Sequence, residues 1–511
     1  MAGHVLIVDY GSQVTQLIAR KTRAAGYYAE ILPAGLPVEP YLEKKPGALI
    51  LSGGPASAVD ENAPKLDPAL LESGLPILGI CYGMQLLALN LGGKLTQEAN
   101  GEYGPAVFQC LTDSPLWQGL STEPLKVWMS HGDRVEVPPD GFAISGKTDD
   151  LPVAAMENRD KKIFAVQFHP EVHHTEKGEE ILKNFLEISG LIPTWKITSF
   201  AKETIASIRQ TTGSDGRVLC ALSGGVDSCV TAVLLATAIG KRLSSIFVDN
   251  GLLRENEVEE VREALSATYP DFNLTIVDAS ALFLDRLAGV DDPEKKREII
   301  SKTFVDVFKE EAKKLGKIEF LAQGTLYPDV IESISPHGPS AHIKKHHNVL
   351  IEIEGMTLIE PLRNLFKDEV RVLGKELGVP DHLLWRQPFP GPGLAIRIVG
   401  PIDSKGLAIL RKADTIVRHE LKVAGLEREI WQAFPVLLPV KSVGVMGDGR
   451  SYDQVVAIRA VTSVDAMTAD WARLPYEVLA RMSSRIINEV SGVNRVVYDI
   501  STKPASTIEW E

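Results

Sequence analysis

The sequence predicts the α/β class: two open, mostly parallel α/β domains in succession, followed by a small α+β module. Three observations carry that expectation. Through residues 1–190, short apolar runs alternate with helical stretches, the rhythm of parallel strands joined by crossover helices. A second series with the same rhythm begins at "GRVLCAL". Beyond "PFPGPGLAIR" (388–397) the rhythm changes, and several strand-like runs share only two helical stretches.

"HVLIVDY" is a short apolar run that reads as a buried strand, and "SQVTQLIARKTRAAG" after it reads as a helix. "GALILSGG", "PILGI" and "MQLLALNLGG" continue the alternation. From about 104 the apolar runs crowd together ("AVFQC", "LKVWMS", "FAVQF"), as in a mixed extension of the sheet. The turn chemistry of "SGLIPTW" (189–195) sets a first domain at 1–194. "GRVLCAL" then leads through "SGGVDS" into the helix "CVTAVLLATAIG" and the strand "RLSSIFVDN", opening a second domain over 195–386. Three prolines and two glycines within six residues from Pro388 mark its end. In the remaining 387–511, "LAIRIVG", "FPVLLPV", "VGVMGDG", "QVVAIRA" and "RVVYDI" read as strands, and 403–424 and 475–490 as helices.

The chain has 511 residues, of which 44% are hydrophobic and 24% charged, as in an ordinary soluble globular protein. Its 54 Lys and Arg stand against 67 Asp and Glu, a net charge of −13 that argues against nucleic acid and anionic membrane as partners. The four cysteines, Cys81, Cys110, Cys220 and Cys229, include no C-x-x-C pair and make no disulfide framework. The N-terminus has no basic region ahead of a long apolar run, and no segment approaches the roughly 18 apolar residues of a membrane span. A cytoplasmic location is expected.

"GICYG" (79–83) lies between an apolar strand and the helix "MQLLALNL", a G-x-C-x-G arrangement. Such a strand-to-helix turn is too tight for side chains beside the cysteine, and it projects the thiol at the mouth of the sheet. The helix N-terminus behind Cys81 favours the nucleophilic thiolate. The N–H of Tyr82 is placed to donate to an oxyanion, with a second donor expected from "LSGGP" at Gly53. A nucleophilic thiol needs a base, and "FAVQFHPEV" (164–172) offers His169 with Glu171 two residues on. In extended backbone these two side chains point the same way, so Glu171 can orient the imidazole. His173 and His174 read as surface residues. Together with "VDYGSQ" (8–13) and "MSHGDRV" (129–135), these features make residues 1–190 resemble the class I glutamine amidotransferases. The resemblance implies attack of Cys81 on the glutamine amide, a glutamyl thioester, and release of ammonia and glutamate.

The loop "SGGVDS" offers the backbone N–H groups of Ser223, Gly224, Gly225, Val226, Asp227 and Ser228 as a nest for phosphate, backed by the helix that carries Cys229. The glycines allow close approach, and the two serines add hydroxyls. A kinase-type loop would carry a lysine directed at the γ-phosphate. Here Asp227 stands instead, which suits a Mg²⁺ ion accompanying ATP. A nest of this kind suits β- and γ-phosphates leaving together as pyrophosphate, with reaction at the α-phosphorus. The loop resembles that of the ATP pyrophosphatase (PP-loop) family, which implies AMP and PPi as products.

Over nearly the whole chain the order of these parts is similar to the glutamine-hydrolysing GMP synthetase family. The stretches that carry the likeness include "VDNGLLR" (248–254), "DPEKKREII" (292–300), "AQGTLYPDVIES" (322–333), "IEPLRNLFKDEVR" (359–371), "RQPFPGPGLAIR" (386–397), "GVMGDGRSYD" (444–453) and "STKPASTIEWE". The resemblance implies that XMP, ATP, glutamine and water yield GMP, AMP, PPi and glutamate through an adenylyl-XMP intermediate. It implies Asp329 near ATP, and Lys344 and Lys345 in a lid. It also implies Arg297, Gln432, Lys503 and Glu509 at XMP, and a homodimer through the C-terminal module. Gln387, Ala505 and Ser506 depart from the family pattern, and "LIEIEG" replaces its usual Gly-Gly-Leu-Pro run. Two other glutamine-fed or PP-loop readings compete. An NAD synthetase would carry a nitrilase-type amidase, and a tRNA-thiolating enzyme would want a basic face and cysteines at the loop. A nucleotide-sensing scaffold would not keep Cys81, His169, Glu171 and Asp227 together.

Overall fold

The computed structural model describes residues 4–120, 123–334, 355–446, 449–463 and 468–511. Lys344 and Lys345 lie outside them. The chain divides into two compact units, one built on Met1–Phe200 with a short stretch from Pro328 onward, the other on Ala201–Tyr327 and the remainder.

The first unit is organised by a nine-stranded sheet in the order β2-β1-β3-β4-β9-β8-β7-β5-β6. The strands are β1 (His4–Asp9), β2 (Tyr28–Pro33), β3 (Ala48–Leu51), β4 (Ile77–Ile80), β5 (Lys94–Cys110), β6 (Leu125–Val137), β7 (Ala143–Lys147), β8 (Ala155–Asn158) and β9 (Ile163–Val166). From β2 to β9 the pairing is parallel, and from β9 outward it is antiparallel. Every residue of β3, β4 and β9 is buried, as a parallel strand covered on both faces requires. The helix Tyr82–Asn90 is buried nearly all round, so its uniformly apolar sequence reflects a core position, with Leu51, Met84, Leu87 and Ala165 in one cluster.

The second unit holds two sheets. One is fully parallel, in the order β12-β11-β10-β13-β14, built of β10 (Val218–Leu222), β11 (Leu243–Asp249), β12 (Leu274–Asp278), β13 (Phe320–Ala322) and β14 (Thr357–Ile359). The connection from β10 goes to one neighbour and the later strands add on its other side. The loop after β10 therefore opens at the point where strand order reverses, where such sheets form a ligand crevice. The other sheet comprises β15 (Gln432–Met446), β16 (Gly449–Thr462), β17 (Asp470–Trp471) and β18 (Val493–Asp499), with β18 parallel to β16 and the rest antiparallel. Helices Ser404–Val423 and Tyr476–Glu489 accompany it.

Two sequence expectations change here. "FPVLLPV" and the "VGVM" of "VGVMGDG" belong to the single strand β15, whose register slips between Leu438 and Lys441, while Gly449 opens β16. Pro439 lies in that slip and has no N–H for the ladder. "LAIRIVG" is not a strand: Gly393–Arg397 is a 3₁₀ turn. A β-carbon on Gly393 (φ +63°) would lie 2.5 Å from the Leu252 carbonyl oxygen, and the buried Lys296 ammonium donates to the carbonyls of Ala395 and Ile398. Those contacts take the backbone groups a sheet would need. One apolar cluster runs from Leu219 through Phe308 and Leu394 to Leu437 and Val493, joining both sheets of this unit.

Candidate active sites

Cys81 sits between β4 and the helix Tyr82–Asn90 at φ 52°, ψ −105°, a region that non-glycine residues rarely occupy and that costs about 1–3 kcal/mol. The turn is held on both sides. Cys81 N–H donates to Val166 O (2.8 Å), and its carbonyl accepts from Gln85 N–H (3.2 Å). A β-carbon on Gly79 would lie 2.8 Å from the Gly83 backbone, and one on Gly83 would lie 2.4 Å from Leu51 O. Both glycines are required by close approach.

His169 and Glu171 are 6% and 1% exposed, and His169 Nδ1–H donates to Glu171 Oε1 at 2.7 Å. The Cys81 thiol donates to Ser130 O at 3.5 Å and stands close enough to the ring to help raise its pKa. Burial pulls the imidazole pKa down; the Glu171 carboxylate and its hydrogen bond, with the nearby Cys81 thiol, more than offset it and hold His169 well above the ordinary histidine value. The structure thus brings Cys81, His169 and Glu171 into one chain of contacts. Gly53 stands against them, since a β-carbon there would lie 2.9 Å from His169 Cε1 and 3.7 Å from Cys81 Cβ. Tyr82 is the first residue of its helix, where an N–H has no intrahelical acceptor. His173 and His174 are exposed. Gln167 escaped the sequence reading: it is fully buried, its Nε2–H donates to Cys81 Sγ at 3.7 Å, and its Oε1 has no partner. The two-residue alternation that links His169 to Glu171 also points back to Gln167.

In the second unit the loop after β10 is tied by its own serines. Ser223 and Ser228 hydroxyls are 3.1 Å apart, Ser228 Oγ accepts from Ser223 N–H (3.2 Å), and Gly225 N–H donates to Ser223 Oγ (3.3 Å). Gly224 has φ +75°, and a β-carbon on it would lie 3.2 Å from Phe247. Gly225 caps the helix Val226–Ile239, which starts with Val226 and Asp227. Cys229 contributes neither thiol nor N–H to this surface: its side chain is fully buried, burial pushes the thiol up to about 12, and its N–H donates to Gly225 O. Asp329 lies in the first turn of the helix Tyr327–Ile334, in the short stretch from Pro328 that groups with the first unit.

The loop has no lysine in sequence, yet one reaches it. Lys367 Nζ donates to Asp227 Oδ2 at 2.6 Å from the start of the helix Lys367–Glu376. A contact across 140 positions leaves no local signal. Asp227 Oδ1 is buried without a hydrogen-bond partner, a hard oxygen donor open to a cation. Among the described residues no group of three or more His, Cys, Asp or Glu could hold a metal.

Near the C-terminus, Gln432 Nε2–H donates to Glu509 Oε1 (2.6 Å) and to Pro388 O (3.2 Å). Arg397, absent from the sequence reading, holds the same carboxylate with two hydrogen bonds at 3.0 and 3.2 Å. Glu509 lines a cavity of about 650 Å³ with Asp499, Ser501, Ser506, Thr507 and Trp510. Arg297 is paired with Glu294 (2.8 Å) and donates to the Glu511 carbonyl, and the Lys503 backbone exchanges hydrogen bonds with Ala469 at 2.8 and 3.1 Å. Gln432 and Glu509 are in contact; Arg297 and Lys503 are held by other partners. Among the described residues no helix is long and apolar enough to cross a membrane.

The three parts match three family descriptions in the same order. Residues 6–188 match glutamine amidotransferase class-I, 213–316 match thiamine biosynthesis protein (ThiI), and 419–510 match the GMP synthase C terminal domain. Over 511 residues the chain is 60% identical to the GMP synthase (glutamine-hydrolyzing) of Oleidesulfovibrio alaskensis, covering 99% of each. It is 54% identical to that of Carboxydothermus hydrogenoformans, covering 100% of each. Among solved structures, a putative GMP synthase subunit from Thermoplasma acidophilum is similar at 29% identity and a TM-score of 0.33, covering 37% of this chain and 95% of that one. Likeness at this level over the full length leads to one conclusion: the chain belongs to the GMP synthase (glutamine-hydrolyzing) family.

Proposed function

We propose that this protein aminates XMP to GMP, using ATP to activate the acceptor and glutamine as the nitrogen source. The observation that carries the reading is the presence, in one chain of this family, of a Cys–His–Glu contact chain and a Ser-Gly nest with Asp227 at the helix start. Cys81 attacks the glutamine amide while His169, oriented by Glu171, takes the thiol proton and returns it to the departing ammonia. The N–H groups of Gly53 and Tyr82 meet the developing oxyanion, and Gln167 keeps the thiol in place. Water then releases glutamate from the thioester.

In the synthetase reaction, the loop from Ser223 to Ser228 grips the β- and γ-phosphates, and Asp329 acts near ATP. The xanthine O2 attacks the α-phosphorus, PPi leaves, and ammonia displaces AMP from the adenylyl-XMP. Mg²⁺ bound with ATP supplies charge neutralisation on the phosphates, and Asp227 would hold it. Lys367 balances the Asp227 charge when no cation does. Gln432, Glu509, Arg297 and Lys503 bind XMP, while Lys344 and Lys345 act from a lid. Residues 1–194, 195–386 and 387–511 divide these tasks, and the last module makes a homodimer of a cytoplasmic enzyme. A thiolation role would need an accessible cysteine at the loop, whereas burial pushes both Cys220 and Cys229 up to about 12.

The test is ³¹P NMR of the protein with Mg-ATP and XMP, first with ammonium and then with glutamine. AMP and PPi appearing with GMP in both arms is the expected result. ADP and phosphate, or nucleotide turnover independent of XMP, would overturn the reading.

A further inference from the structure

The carboxylate at the proposed acceptor cavity is held from behind by a group that does not line the cavity. Arg397 is fully buried, and both of its hydrogen bonds go to Glu509. Its guanidinium lies 4.0 Å from the ring centre of Phe434 and 5.1 Å from that of Phe389. Its Nη1 stands 3.8 Å from Asp414 without a hydrogen bond. Removing a guanidinium from water is costly, and an apolar side chain of similar volume would pack between two phenyl rings without that cost. What the charge adds is geometry, because the planar fork fixes the plane of a carboxylate.

Gln432 completes the arrangement by donating to Oε1, so Oε1 accepts from two groups and Oε2 from Arg397 Nε alone. Oε2 is left with room for a further donor. The same segment is anchored at its other end to the phosphate loop. Arg386 pairs with Glu257 (2.9 Å) and lies 3.4 Å from Gly224 O, while Gln387 accepts from Ala433 N–H (3.0 Å), next to Gln432.

We propose that Arg397 is a positioning residue for the acceptor nucleotide. It sets the plane of Glu509 so that Oε2 meets an N–H donor of the acceptor base, and the segment Arg386–Arg397 keeps that carboxylate in register with the ATP loop. The inference rests on the reading of Glu509 as a contact to XMP.

The test follows initial rates of PPi release against XMP at saturating ammonium and Mg-ATP. It compares the wild type with Arg397→Lys, Arg397→Met, Glu509→Gln and the Arg397→Met/Glu509→Gln double variant. Arg397→Met is expected to raise KM for XMP by about tenfold or more while KM for ATP stays within about twofold. Arg397→Lys, which reaches one oxygen at a time, falls between. The double variant is expected to be no worse than Glu509→Gln, because the arginine acts through that carboxylate. A purely structural role would instead lower kcat at unchanged KM. If Arg397→Met does not fold, Arg397→Lys alone and combined with Glu509→Gln make the same comparison. A wild type that releases no PPi with XMP overturns the substrate reading. A wild type that uses XMP, with KM for XMP unchanged in the Arg397 variants or with losses that multiply in the double variant, overturns the positioning role.

Discussion

Replacing Glu171 by glutamine removes one charge from the proposed glutaminase site at nearly constant volume. The carboxylate is 1% exposed, lies 2.7 Å from His169 Nδ1, and keeps its second oxygen buried without a partner. Without that charge, burial is opposed only by the Cys81 contribution, and the imidazole is expected to fall from well above the ordinary histidine value towards it. Loss of the orienting carboxylate behind a catalytic histidine costs about 10³–10⁴-fold in kcat, or about 4–5.5 kcal/mol. The assay is glutamate release from glutamine, with ammonium-driven PPi release as the internal control, expected within about twofold of wild type. The same change alters stability with pH. The raised His169 pKa stabilises the wild type fully below the unfolded value near 6.5, and that contribution fades as pH rises through the folded value. In Glu171→Gln that contribution is reduced, so the deficit in Tm relative to wild type widens from pH 8 to pH 6. Glutaminase activity within about threefold of wild type, or an unmoved His169 titration by NMR, would refute the argument.

Gly83→Ala places a β-carbon 2.4 Å from Leu51 O and 2.7 Å from Leu51 Cβ, so the helix Tyr82–Asn90 must shift. We expect about 1–3 kcal/mol of lost stability and loss of glutamine turnover, and an unchanged Tm would contradict this. Asp227→Asn leaves Lys367 without its carboxylate partner and weakens the proposed cation ligand. PPi release is expected to fall by about 100-fold and half-saturating Mg²⁺ to rise, and a Mg²⁺ titration superimposable on wild type would count against the assignment. Native protein treated with iodoacetamide near neutral pH should be alkylated at Cys81 in step with loss of glutaminase activity. Cys220 and Cys229, pushed up to about 12 by burial, should be spared, and peptide mapping that finds Cys229 labelled as fast as Cys81 would show the core description to be wrong.

Features that depend on neighbours in sequence were legible from the chain alone. The glycines beside Cys81 state a tight turn, and their spacing anticipates the positive φ of 52° found there. The two-residue step from His169 to Glu171 anticipates their shared side, as does the run of serines and glycines for the loop after β10. Where a backbone group takes a partner far along the chain, the local signal misleads. "LAIRIVG" carries strand-like residues, but Lys296 and Leu252 occupy its backbone and turn it into a 3₁₀ segment. Pro439 hides the continuity of β15, because a proline that reads as a break is absorbed as a register slip.

By itself, then, the sequence determined the α/β class, the tight turn at Cys81, the serine-glycine loop after β10 and the likeness to its family, because periodicity, glycine placement and short motifs are written within a few residues. Only the tertiary structure decided that Lys367 faces Asp227, that Gln167 holds the thiol of Cys81, that Cys229 is closed off from the loop, and that Arg397 grips Glu509. Those pairings join residues 86 to 140 positions apart. Charge pairing and burial depend on distance in space, and the fold alone sets which distant side chains are excluded from water together.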